Sequence, residues 1–152
     1  MNIKQAVLSD LSSVREISAI TIHEIYPHYY PKGAVEYFLE HHCEANICND
    51  INLKRVYLCF DIMGVAIGTV TIKDNEICRL FVVPSYQGKG FGKEMLDFAE
   101  KEISDKYSKI VLDASLPAKK IYIKRGYNDI GYNMISTNDG DFLCYDVMEK
   151  KV

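Results

Sequence analysis

Residues 87–92 read Gln-Gly-Lys-Gly-Phe-Gly, wedged between a strand-like apolar run and an amphipathic helical pattern. Alternating glycines let a backbone take positive φ and approach another molecule closely. The helix that follows presents unsatisfied N–H groups and a partial positive charge at its first turn. A strand–loop–helix unit of this kind is an anion site, suited to a pyrophosphate. Two familiar phosphate loops do not fit it. A P-loop has glycine five positions before its Gly-Lys pair and Ser or Thr after it; here those places hold Gln87 and Glu94. A dinucleotide fingerprint starting at Gly88 needs glycine at its sixth position, which is Lys93. What remains is Gln-x-x-Gly-x-Gly at Gln87, Gly90 and Gly92.

The rest of the chain reads as one α+β domain over residues 1–152. A strand at 3–7 precedes a helix capped by Ser9 or Asp10, with Leu11, Val14, Ile17 and Ile20 on one face. Pro27 and Pro31 break the chain before a second helix over 34–43, and residues 44–54 give no clear pattern. Strands follow at 56–60, 65–72 and 76–83, with a tight turn at Lys73-Asp74-Asn75. Pro84 ends the third of these, because it cannot donate to a ladder. Helix three covers about 90–106, with Met95, Leu96, Ala99 and Ile103 inward. A strand at 110–113, a helix ending at Arg125 with Gly126 as its αL stop, and a hairpin of 131–136 with 142–148 complete the order.

Composition narrows the class. A domain of 152 residues buries about 68–70% of its unfolded surface, so it needs no staples. The net charge of −3 speaks against a nucleic-acid partner. No apolar run reaches the ~18 residues of a membrane span, and no secretory signal pattern opens the chain. The expectation is a cytoplasmic protein, monomer or homodimer. The five cysteines are scattered; Cys59, Cys78 and Cys144 sit in strand-like runs and read as reduced core residues. Cys43 and Cys48 near His41 and His42 match no zinc spacing, so no metal is expected.

The element order and the Gln87–Gly92 loop resemble the GNAT superfamily of N-acetyltransferases. A second segment agrees: Tyr122-Ile-Lys-Arg-Gly126-Tyr127, with Ala118 four positions before the Tyr, is similar to that family's Tyr-x-x-x-Gly-Phe. The resemblance implies a mixed, mostly antiparallel sheet of about seven strands flanked by four helices and splayed between strands four and five. It implies acetyl-CoA as cosubstrate and a primary amine as acceptor, small molecule or peptide. The diphosphate would lie on Gln87, Gly88, Lys89, Gly90, Phe91, Gly92 and Lys93. The pantetheine arm would pair with the backbone of Phe81, Val82 and Val83, as a strand added to an edge. Ser115 stands where many members carry Asn; it can bond that arm or cap a helix.

The reaction sets further demands. A lysine-like ammonium is neutral at pH 7 only about once in 2,500 molecules, a cost of roughly 4.6 kcal/mol. A general base must take that proton. Glu76, at the start of strand four, is the candidate the resemblance favours, with Asp74 and Asp113 behind it; an ordinary hairpin carboxylate is the plainer reading. Tyr122 would donate to the leaving thiolate, unless it is simply one of eleven tyrosines in the core. A backbone N–H such as that of Val82 would face the developing oxyanion. Tyr26, His28, Tyr29, Tyr30, His41 and His42 crowd the segment that varies most in the family. They form either an aromatic wall for the acceptor or a packed helix face. Asp139 and Asp141 suit a cation or an ordinary turn. The rival to catalysis is an acyl-CoA-binding module that senses or regulates.

Overall fold

The computed structural model describes residues 2–152. Seven strands form one sheet: β1 (Asn2–Gln5), β2 (Val56–Phe60), β3 (Ala66–Lys73), β4 (Glu76–Val82), β5 (Lys109–Ala114), β6 (Asn128–Ser136) and β7 (Phe142–Lys151). Their spatial order is β1-β2-β3-β4-β5-β7-β6. Every neighbouring pair is antiparallel except β4 and β5. Those two touch only through Glu76 with Val111 and Ile77 with Leu112. Beyond Ile77 the strands part, and β4 continues to Val82 paired on its other side with β3. The expected splay is therefore present.

Five α-helices flank the sheet: α1 (Leu11–Ile25), α2 (Lys32–His41), α3 (Glu44–Asn52), α4 (Phe91–Ser104) and α5 (Leu116–Lys124). The count exceeds the expected four because the patternless segment 44–54 folds as α3. Its burial rests on Ile47 and Ile51 alone, two apolar positions four apart, too sparse a stripe for the sequence to declare.

The two faces of the sheet carry separate cores. Met95, Leu96, Ala99 and Ile103 of α4 pack on Ile67, Val70, Ile110, Leu112 and Met148. Val14, Ile17 and Ile22 of α1 join Ile47, Ile51, Val56, Leu58 and Leu143 on the other face. Successive strand residues point to opposite faces, so Phe81 joins the second core and Val82 the first. Gly68 brings α4 against β3: a Cβ there would lie 2.6 Å from the Met95 sulfur. Cys59 is buried as expected, but Cys78 is exposed and Cys144 half-buried. Strand membership alone does not bury a thiol where the sheet has parted.

Candidate active site

The loop after β4 is built by its own sequence. Pro84–Tyr86 make a single 3-10 turn. The Gln87 amide then folds back and donates to the Val82 carbonyl at 2.9 Å. Gly88 and Gly90 take φ of +73° and +94°, which a side chain resists by roughly 1–2 kcal/mol. Gly90 is the N-cap of α4 and no side chain caps that end, so first-turn N–H groups are left open. A Cβ on Gly92 would meet only the Val82 side chain, at 3.8 Å; the glycine keeps free space beside the amides.

Those amides border a cleft of about 710 Å³ that runs from the loop along the open side of β4. Thr21 and Ile25 of α1 form one wall, and Pro117, Ile121, Tyr122 and Arg125 of the α5 region form the other. Along β4 the backbone alternates. The Val83 N–H donates to the Ile67 carbonyl at 2.9 Å, and its carbonyl accepts from the Tyr86 N–H at 2.8 Å. The Val82 N–H, one residue earlier, therefore faces away from β3 and into the gap.

A second cavity of about 160 Å³ lies on the other side of the β4–β5 gap. Tyr37, Phe38, His41 and His42 line it from the α2 region, Cys78 and Arg79 from β4, Asp113 from β5 and Tyr145 from β7. The two cavities share Tyr26, Leu80, Phe81, Ser115, Ala118 and Tyr122. They meet where β4 and β5 separate, with Tyr122 at the junction.

The sequence profile of the acetyltransferase (GNAT) domain matches residues 26–140. The chain belongs to the GNAT acetyltransferase family. Solved structures agree on the fold. A GCN5-related N-acetyltransferase from Rhodopseudomonas palustris superposes with a TM-score of 0.90 at 23% identity, over 99% of this chain and 95% of that one. The PaiA N-acetyltransferase of Thermoplasma acidophilum, solved with coenzyme A, gives 0.73 at 23% identity, over 99% and 98%. YncA of Salmonella typhimurium, solved with acetyl-CoA, gives 0.71 at 15% identity, over 99% and 93%. No curated protein matches the chain by sequence.

Within this GNAT domain the expected site residues divide. Gln87, Gly88, Gly90, Gly92, Lys93, Phe81, Val82, Ser115 and Tyr122 line the cleft. Lys89 instead stands 4.9 Å over the Tyr86 ring, and Phe91 packs against the same ring at 5.9 Å. Val83 does not line the cleft, and its backbone groups bond to Ile67 and Tyr86; by the same alternation those of Phe81 face Thr69 on β3, so of the three only Val82 turns its N–H to the gap. Glu76 lines neither cavity. It sits where β4 is still paired with β5, six residues before Val82, or about 20 Å along a strand.

Asp113 occupies the second cavity instead. Burial first, and the Glu76 charge second, raise its pKa above the usual 3.8. Burial alone pushes the Tyr122 phenol up to about 12, so it holds its proton. The Cys78 thiol lines the second cavity although the residue as a whole is exposed; desolvation there first, then the Glu76 and Asp50 charges, lift it to about 12, which removes its thiolate at neutral pH. Ser115 makes no side-chain cap on α5; it lies in the wall of both cavities.

Several contributions were invisible in sequence. The Tyr30 hydroxyl caps α5 by accepting the Leu116 N–H at 2.7 Å, across 86 residues. Arg125, in the cleft wall, is pinned to Asp97 at 2.6 Å and Glu100 at 2.8 Å. In the Tyr/His-rich segment Tyr26 and Tyr30 are core residues, and Tyr26, His41 and His42 line the second cavity. Asp139 and Asp141 serve the fold. Asp141 accepts the Gly33 N–H at 3.1 Å, and any Cβ on Gly33 would strike Asp139.

Proposed function

We propose that the protein is an N-acetyltransferase that moves the acetyl group of acetyl-CoA directly to a primary amine within a ternary complex. One observation carries the reading: a long cleft and a compact aromatic cavity adjoin at the β4–β5 gap, with Tyr122 in the wall of both. The cleft suits coenzyme A. Its bared amides at Gly90–Lys93 match a diphosphate, and its open strand edge matches the amides of pantetheine.

The residues divide the labour. The thioester brings an activated acyl carbon to the junction. Asp113, made more basic by burial and by Glu76, accepts the ammonium proton directly or through a water. The Val82 N–H donates to the oxygen as it gains charge. Tyr122 donates to the departing sulfur. Full proton transfer from a phenol near 12 to a thiolate of ordinary pKa ~8.5 is uphill by roughly 4.8 kcal/mol, so the phenol acts first as a hydrogen-bond donor.

Free thiol released from acetyl-CoA, measured across a broad panel of primary amines, tests the reading. Thiol release with some of these amines supports it. Binding of coenzyme A with no thiol released by any amine would leave the chain a sensor of acyl-CoA.

A further inference from the structure

Behind the aromatic cavity lies a buried polar chain that the transfer step does not use. Arg79 in β4 is 5% exposed. Its Nε donates to His42 Nδ1 at 3.1 Å, its Nη1 to the Thr71 hydroxyl at 2.7 Å and its Nη2 to Asp50 at 3.2 Å. His42 is itself 9% exposed, edge-on to Phe81 at 5.3 Å and to His41 at 5.1 Å. Both Arg79 and His42 line the cavity.

The chemistry of the contact fixes the ring. A guanidinium only donates, so His42 Nδ1 presents a lone pair and the single ring proton sits on Nε2. Burial first, then the Arg79 charge and then His41, hold the pKa of His42 down to about 3. Nε2–H makes no hydrogen bond among the described residues. No side-chain nitrogen or oxygen among the described residues is both buried and unpartnered, so this N–H opens to the cavity.

We propose that His42 is a specificity residue: its Nε2–H reads a carbonyl-type oxygen of the acceptor, and the Arg79–Asp50 pair holds the ring in that form. The proposal rests on the aromatic cavity being the acceptor site. It names the acceptor class as amines that carry an amide, ester or carboxylate oxygen close to the reacting nitrogen, as amino-acid derivatives do. The amine end points to Asp113 and the gap; the oxygen end points to His42 and Arg79. A simple polyamine offers only donors and positive charge. It would meet a donor and a cation at the His42 end, and such unpaired like-on-like contacts exclude a ligand. A buried ion pair is weak support for a fold, which leaves orientation of the ring as the use for this one.

Two measurements test it. The first is nitrogen NMR of histidine-labelled protein without ligand. The expected result is a His42 ring protonated on Nε2 only, unchanged between pH 5 and 8. A ring carrying its proton on Nδ1, or titrating near 6.5, overturns the proposal.

The second compares phenylalaninamide with phenethylamine, which differ by the carboxamide. The kcat/KM preference for the amide should fall at least about tenfold in His42→Phe, through KM. The different basicities of the two amines cancel in that ratio of ratios. His42→Gln, which keeps an acceptor for Arg79 and a donor for the ligand, should restore most of it and also guards against a folding defect. An equal preference in wild type and His42→Phe refutes the assignment. If coenzyme A binds but no amine of either kind releases thiol, the acetyltransferase reading falls and takes the acceptor class with it; the ring assignment still stands or falls on the nitrogen shifts.

Discussion

The two cavities are made of different material. The cleft is bounded by backbone at its loop end: glycines at positive φ, uncapped helix amides and the N–H of Val82. The cavity beside it is bounded by side chains gathered from α2, β4, β5 and β7. A cleft that holds a constant molecule works with groups every residue possesses, provided glycine and a helix start expose them. A pocket that chooses among amines must vary its side chains. Variants should therefore separate the two regions cleanly.

The largest effects belong to the junction. Tyr122→Phe should lower kcat by about 10²–10⁴-fold while coenzyme A affinity, read by calorimetry, stays within about twofold, since binding is assigned to backbone groups. Asp113→Asn should cost about as much and change the pH profile. In wild type, kcat/KM falls as pH drops through the raised pKa of Asp113, so the acid limb begins above the usual 3.8. The Asn variant should lose that limb. Glu76→Gln should move the limb down, because the Glu76 charge helps to raise that pKa.

Next comes the loop. Gly90→Ala forces a side chain to φ +94° and should weaken coenzyme A by about tenfold or more. Amine selectivity among turned-over acceptors should not move.

A smaller effect separates the regions by stability. Below about pH 6.5 the unfolded chain protonates His42, whereas the folded chain resists until about 3. Stability should fall as pH falls through that window, by about 2 kcal/mol at pH 5. Melting curves of His42→Gln should be flatter over the same range. Smallest of all, Lys89→Ala should change coenzyme A affinity less than about fivefold: an exposed cation over a ring contributes about 0.5–1 kcal/mol.

The same contrast explains what the sequence disclosed. Glycine spacing, the proline that ends β4 and the periodicity of α4 are local signals, so the loop and the order of strands along the chain could be read directly. The second cavity is a meeting of residues far apart in the chain. Nothing near Tyr30 announces that it caps α5. Nothing near Arg79 announces Asp50 or His42, and an Arg inside an apolar strand looks like a surface residue until its partners are found. Glu76 lines neither cavity. A spacing borrowed from relatives names a position on β4, but the open volume beside that position is decided by where β5 diverges, and here it falls next to Asp113. The helix at 44–52 escaped for want of a stripe.

The most direct test of the central claim is a calorimetric titration of the protein with coenzyme A and, in parallel, with phosphopantetheine, which lacks the diphosphate. Main-chain amides at the start of α4 should give coenzyme A at least about a tenfold advantage, and Gly90→Ala should erase most of it while leaving phosphopantetheine unchanged. Equal affinities for the two molecules, or no affinity for coenzyme A, would contradict the account.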